Sequence, residues 1–193
     1  MERISSDQAM PAHLRGAIIA LGNFDGFHRG HQAVVGRAVE LARAQGRSAI
    51  VATFDPHPMR LFRPDAPFFR LTTLDQRERL FGEAGADAML VFHFTRELAA
   101  LSAEAFVAML VGQLGAAGVV TGEDFTFGRG RSGNVAALRE LGAAHGLQVE
   151  AVPPVRDEQG EVISSSRIRD ALVAGDCAMA TRLLTRPFAI AGA

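Results

Sequence analysis

The sequence predicts an α/β fold: a Rossmann-like parallel sheet with helices on both faces. Short apolar runs rich in branched residues recur along the chain, as strands buried on both faces require. Amphipathic helical patterns separate them, the alternation expected of right-handed βαβ crossovers. The densest cluster of glycines and polar residues comes after the first run and leads into the first helix, where open α/β sheets bind ligands.

The predicted strands are Ala17–Leu21, Ser48–Phe54, Ala88–Phe92, Gly118–Thr121 and Leu147–Val152. The first helix, Gln32–Gln45, sets Val34, Val35, Ala38, Leu41 and Ala42 on one face before Gly46 stops it. A second opens with Thr73 and Gln76 in capping-box spacing, and a third opens at Ser102 and turns Phe106, Met109, Leu110 and Leu114 inward. A fourth covers Asn134–His145. After Pro153–Pro154 come a polar turn at Arg156–Gly160, an extended piece to Ile163 and two short helices, Ser165–Ala174 and Asp176–Leu184.

Composition removes several function classes. A chain of 193 residues, 48% hydrophobic and 21% charged with a formal charge of -1, has the profile of a globular domain with no long-range pull toward nucleic acid or an anionic membrane. One cysteine, Cys177, excludes an intrachain disulfide, and no apolar run is long enough for a membrane span or a signal peptide, so a cytoplasmic protein is expected. All twenty basic residues are arginines, which excludes P-loop lysine and Schiff-base chemistry. With no tryptophan or tyrosine, aromatic packing on a ligand falls to phenylalanine or histidine.

Four segments carry candidate chemistry. In Gly22-Asn23-Phe24-Asp25-Gly26-Phe27-His28-Arg29-Gly30-His31 the glycines permit close approach and positive φ, and the next helix points free N–H groups at a ligand, so an anion is the natural occupant. A second reading makes Asp25, His28 and His31 metal ligands. In Thr53-Phe54-Asp55-Pro56-His57-Pro58 two prolines around a histidine suggest a stiff extended loop able to hold a ring face and a phosphate.

The third segment, Gly122-Glu123-Asp124-Phe125-Thr126-Phe127, runs into a literal G-x-G-x-x-G at 128–133, with Glu150 at the spacing of a ribose-binding acid. An acidic and aromatic stretch separates those glycines from the strand, which argues against a dinucleotide fingerprint. The fourth, Ile163-Ser164-Ser165-Ser166-Arg167-Ile168-Arg169, offers hydroxyls, a helix N-terminus and Arg167 as an oxyanion cradle. Phosphate donors and a slot for a planar ligand, without an acyl nucleophile, favour phosphate chemistry.

GNFDGFHRGH, TFDPHP, GEDFTFG and ISSSRIR, in this order, resemble the adenylyltransferase module of the prokaryotic bifunctional riboflavin kinase/FAD synthetases, in the nucleotidyltransferase superfamily with the H-x-G-H signature, here His28-Arg29-Gly30-His31. The resemblance runs from about Gly16 to Phe188. It implies ATP and FMN as substrates, FAD as product and Mg²⁺ brought with ATP, with no residue matching a dedicated metal cage. By the same resemblance Gly22, Asn23, Phe24, Asp25, Gly30, His28 and His31 surround the ATP phosphates, and Ser164, Ser165, Ser166 and Arg167 close over them, His28, His31 and Arg167 being the catalytic set. Phe54, Pro56, His57, Pro58, Asp124 and Phe127 lie near the flavin. Ser166 stands where the family's threonine is usual, and the kinase half is absent. The expected layout is an N-terminal extension (1–15), a nucleotidyltransferase domain (16–186) and a tail (187–193). The alternatives are transfer to another phosphorylated acceptor, or a catalytically silent flavin-nucleotide module.

Overall fold

The computed structural model describes residues 1–190, so the last three positions of the expected tail lie outside the described residues. Six parallel strands form the sheet: β1 (Glu2–Ser5), β2 (Ile18–Leu21), β3 (Ala49–Asp55), β4 (Ala88–His93), β5 (Gly118–Gly122) and β8 (Gln148–Val152). Their order is β1-β4-β3-β2-β5-β8. The chain leaves β2 toward β3 and β4 and later returns to the other side of β2 as β5. That reversal is the topological switch point, where the ends of neighbouring strands open a crevice.

Strand alternation divides the core. Ile18, Ala20, Val51, Met89 and Val120 face α1 (Arg29–Ala44) and α3 (Leu74–Glu83), while Ile19, Leu21, Ile50, Leu90 and Val119 face α5 (Ala103–Ala108), the π-helical turn Met109–Gln113 and α6 (Val135–Ala143). Successive side chains point to opposite faces, and both are covered. Side-chain caps begin the helices as expected: Thr73 and Gln76 exchange both bonds of a capping box at 3.2 and 2.9 Å, and Ser102 and Asn134 cap α5 and α6.

The structure adds elements that the pattern did not mark. Glu2–Ser5, within the segment expected to be an extension, pairs with β4 as the edge strand and buries only Ile4. The expected extended loop at 56–58 instead starts a short helix, α2 (Pro58–Phe62), capped by His57, and a further short helix is α4 (Arg96–Ala99). Proline suits this start, because the first turn of a helix has no use for its missing N–H. Of the glycines at 128–133, Gly128 and Gly130 lie in the turn of a two-stranded hairpin, β6 (Thr126–Phe127) with β7 (Gly133–Asn134), and Gly133 pairs with Phe127. That is not a strand-to-helix phosphate loop, and Glu150 is paired with Arg37 at 2.7 Å.

The last two helices, α7 (Ser165–Val173) and α8 (Cys177–Leu184), form a hairpin with its own apolar cluster of Ile163, Ile168, Ala171, Ala180, Leu183 and Leu184, joined by Leu71. Among the described residues no helix is long and apolar enough to cross a membrane.

Phe81 of α3 is fully buried and meets Phe24 and Phe27 of the glycine loop edge-on, with centroids 5.9 and 5.1 Å away. Phe81→Ala is expected to lower stability by about 3–5 kcal/mol, the cost of an unfilled aromatic cavity, measured as a shift in the urea midpoint.

Candidate functional site

The carbonyls of the loop after β2 are held by side-chain donors. Asn23 O accepts from Thr53 Oγ1 (2.7 Å) and Arg77 Nη1 (3.4 Å), and Asp25 O accepts from Ser165 Oγ (2.8 Å). Gly26 O accepts from Arg186 Nη2 (2.7 Å), and Phe27 O from Gln32 Nε2 (3.0 Å) and Arg186 Nη1 (3.3 Å). Phe24, Gly26 and Phe27 have positive φ of 48, 87 and 44°. The N–H groups of Asn23, Phe24 and Asp25 find no acceptor among the described residues. Successive N–H groups in such a winding chain make an anion-binding concavity, here opening beside the N-terminus of α1. Only glycine fits at 26, where a Cβ would lie 2.8 Å from Leu71 Cδ1 as well as sit at positive φ.

His28 is the N-cap of α1, its Nδ1 accepting from the His31 N–H at 3.4 Å. Its ring stacks on that of His31, 3.6 Å between centroids and 21° apart in plane, and Phe24 meets the His31 edge at 5.3 Å. Burial pushes His28 down to about 4, against a small upward pull from Asp25, with Arg186 adding to the fall. Burial also holds His31 well below the usual range, reinforced by His28, Arg77 and Arg169. Both rings are therefore neutral at pH 7. Because the Nδ1 of His28 accepts a backbone bond, its proton sits on Nε2, an N–H donor. The Nδ1 of His31 is buried without a partner.

His57 repeats the device. Its Nδ1 accepts from Met59 N–H at 3.1 Å, its ring lies 4.6 Å from Phe68, and burial lowers it to about 4.

Asp25, expected at the phosphates, is 1% exposed and already engaged. Its carboxylate accepts from the N–H groups of Leu71 (3.0 Å) and Thr72 (3.0 Å), the Thr72 hydroxyl (3.1 Å) and the guanidinium of Arg169. It braces the site and does not join the histidines as a ligand set. Among the described residues no three His, Cys, Asp or Glu side chains gather as a metal group. Ser164 caps α7 by accepting from Arg167 N–H (3.3 Å), and Ser166 is exposed.

The α7 N-terminus does reach the glycine loop, through Ser165 and through Ile163 O, 3.6 Å from where a Gly30 Cβ would be. The guanidinium at the loop, however, is that of Arg169. Arg167 turns away to Asp157 (2.6 Å) and Val162 O (2.9 Å). Arg169 also donates to Phe69 O (2.8 Å) and lies 4.4 Å over the Phe68 ring. Sequence reasoning passed over Arg169 and Arg77. The signal for Arg169 was its i,i+4 spacing from Ser165, which puts both on one helical face.

The expected flavin residues divide. Phe54 and Phe127 are core residues, packed on Phe92 (5.3 Å) and Phe106 (5.2 Å), so neither offers a free face. Phe62, 63% exposed, touches Phe94 edge-on at 5.9 Å, and Phe94 in turn meets Phe54 at 5.6 Å. Phe125 stacks on Phe127 at 5.8 Å, and Asp124 is exposed beside it. Pro56 and Pro58 flank His57, all half-buried at the carboxyl end of β3.

A relative from Pseudomonas fluorescens, a bifunctional riboflavin kinase/FMN adenylyltransferase, is 42% identical over 183 residues, covering 94% of this chain and 58% of its own length. The chain thus spans little more than half of that relative. A relative from Geobacillus thermodenitrificans, a putative bifunctional riboflavin kinase/FMN adenylyltransferase, is 38% identical over 174 residues, covering 90% of this chain and 92% of its own. A crystal structure described as a macrolide-efflux protein from Streptococcus pneumoniae superposes with a TM-score of 0.86 at 30% identity, over 97% of this chain and 61% of that one. The family model for FAD synthetase matches residues 10–167, across the glycine loop, the β3 loop and the start of α7, and the chain belongs to that family.

Proposed function

We propose that this domain is an FMN adenylyltransferase, which joins the AMP part of ATP to the phosphate of FMN and releases pyrophosphate. One observation carries the reading: the N-termini of α1 and α7 meet around a single loop with unpaired N–H groups, beside Arg77, Arg169, Arg70 and Arg186, of which Arg169 and Arg70 are paired with Asp25 and Asp55. Guanidiniums and aligned amides together favour a polyphosphate.

The FMN phosphate is already anionic near neutral pH, so the site has to position and neutralise rather than deprotonate. An FMN phosphate oxygen bonds to the α-phosphorus of ATP as the bond to the bridging α–β oxygen breaks, and pyrophosphate leaves with that electron pair. His28 Nε2–H and the loop amides serve as fixed donors to the crowded α-phosphoryl oxygens, and Arg169 with the hydroxyls of α7 faces the departing charge. His31 backs His28 as a neutral stacking partner. Asp25 and Asp55 are each paired with an arginine, so Mg²⁺ would enter with ATP and would help to offset the charge of the departing pyrophosphate. The exposed Phe62, with Phe125 and Asp124, borders the flavin, while Phe54 and Phe127 support that border from behind.

The direct test is incubation with FMN, ATP and Mg²⁺ and chromatographic recovery of FAD and pyrophosphate in equal amounts; absence of FAD overturns the proposal. His28→Ala is expected to lower kcat by roughly a hundredfold, the scale of one lost preorganised donor, with the fold retained by circular dichroism. Arg169→Lys is expected to impair turnover more than Arg167→Lys, because only Arg169 meets the loop, and steady-state kinetics of the two variants decide this.

The buried imidazoles also set a pH dependence. With His28 and His57 lowered to about 4 against an unfolded value near 6.5, the folded state binds fewer protons between those limits. Stability is therefore complete above about pH 6.5 and is lost as pH falls toward 4, which urea midpoints at pH 7 and pH 5 will show.

A further inference from the structure

Beneath the glycine loop lies a buried arginine with no carboxylate partner among the described residues. Arg77, on the inward face of α3, is 1% exposed. Its Nη1 donates to Thr53 Oγ1 at 2.8 Å and reaches Asn23 O at 3.4 Å, and its Nε is buried without any partner. Burial lowers its pKa to about 10, countered in part by Asp25, so it is still a cation at neutral pH. The neighbouring guanidiniums are otherwise engaged: Arg169 with Asp25, Arg70 with Asp55, and Arg186 with the carbonyls of Gly26, Phe27 and Leu184. A purely structural position on that face would be filled at less cost by methionine or leucine.

We propose that Arg77 is a positioning residue of the phosphate site, which fixes the Asn23 carbonyl and the Thr53 hydroxyl so that the loop amides face the ligand, and which supplies a buried charge, without an ion-paired carboxylate among the described residues, that a polyphosphate neutralises. The identity of the nucleotide rests on the adenylyl-transfer reading; the preference for a polyphosphate anion rests on this geometry alone. The charged and titratable groups facing His31 are His28 on its own helix, Arg77 from α3 and Arg169 from α7. Loss of the Arg77 charge therefore also eases protonation of His31.

The test compares wild type with Arg77→Gln, which keeps an N–H donor but loses the charge, Arg77→Met, which loses both, and Arg77→Lys, which restores the charge. Calorimetry with inorganic pyrophosphate is expected to show affinity weakened about tenfold in the Gln and Met variants, the scale of one charge acting across roughly 10 Å at an effective dielectric near 20, and largely recovered in Arg77→Lys. The KM for ATP rises in step, and NMR titration of the His31 imidazole moves to higher pH. Wild-type pyrophosphate affinity and an unmoved His31 titration in Arg77→Gln overturn the proposal, and either neutral variant suffices if the other does not fold. If wild type makes no FAD yet binds pyrophosphate in an Arg77-dependent way, the adenylyl-transfer reading fails and the role of Arg77 stands. If wild type makes FAD but its pyrophosphate affinity is indifferent to Arg77, the adenylyl-transfer reading stands and the role of Arg77 fails.

Discussion

The site depends on one buried carboxylate. Asp25, in the loop after β2, draws donors onto its carboxylate from two distant parts of the chain: the Leu71–Thr72 segment leading into α3, and Arg169 of α7. Removing one member of such a buried pair costs about 3–5 kcal/mol, against about 1 kcal/mol for a helix cap, so this junction outweighs any single cap near it. Thr72 answers in kind, its hydroxyl accepting from Gly26 N–H at 3.0 Å. Leu71, held at the same point, fills the apolar gap between the loop and the α7–α8 hairpin. The parallel sheet presents a crevice at its switch point, and Asp25 decides which segments line it.

The consequence of that junction is electrostatic. The one carboxylate inside the loop is matched by Arg169, and Arg77 has no ion-paired carboxylate among the described residues. Burial keeps His28, His31 and His57 uncharged, with neighbouring arginines adding to the fall. A neutral imidazole still donates one N–H, and backbone bonds to Nδ1 of His28 and His57 fix which nitrogen carries it. Positive charge thus comes from groups that do not titrate near neutral pH, and directional donors come from groups that would otherwise titrate there. Charge and geometry are assigned to different residues.

Most of the sheet was legible because strands covered on both faces read as unbroken apolar runs: Ile18–Leu21 and Ala49–Phe54 could hardly be anything else. The helices with polar caps at Thr73, Ser102 and Asn134 were legible for a local reason, since each cap acts within three residues of itself. The edge strand was not, because one buried residue in four leaves no pattern, and α2 and α4 are too short to show a period. At the site, the sequence marked the glycine loop and the α7 serines as segments of interest, and the structure brings them together at Ser165. The direction of each charged side chain was not legible: Asp25 faces inward because Leu71, Thr72 and Arg169 wait for it, and those partners are 46 to 144 residues away. Phe54 and Phe127 meet the same limit, since composition marks them as aromatic but only packing says that their faces are taken.

The absence of lysine gains a physical meaning from these positions. A buried ammonium gives up its proton readily as its surroundings become apolar, whereas guanidinium delocalises its charge and keeps it. Arg77, without an ion-paired carboxylate among the described residues and lowered only to about 10, remains a cation well clear of neutral pH. Arg186 uses the fork differently, reaching three backbone carbonyls from one side chain, which a single point charge cannot do with comparable geometry. The loop receives both at once, a charged donor below it on the Asn23 carbonyl and the Arg186 fork on the carbonyls of Gly26 and Phe27.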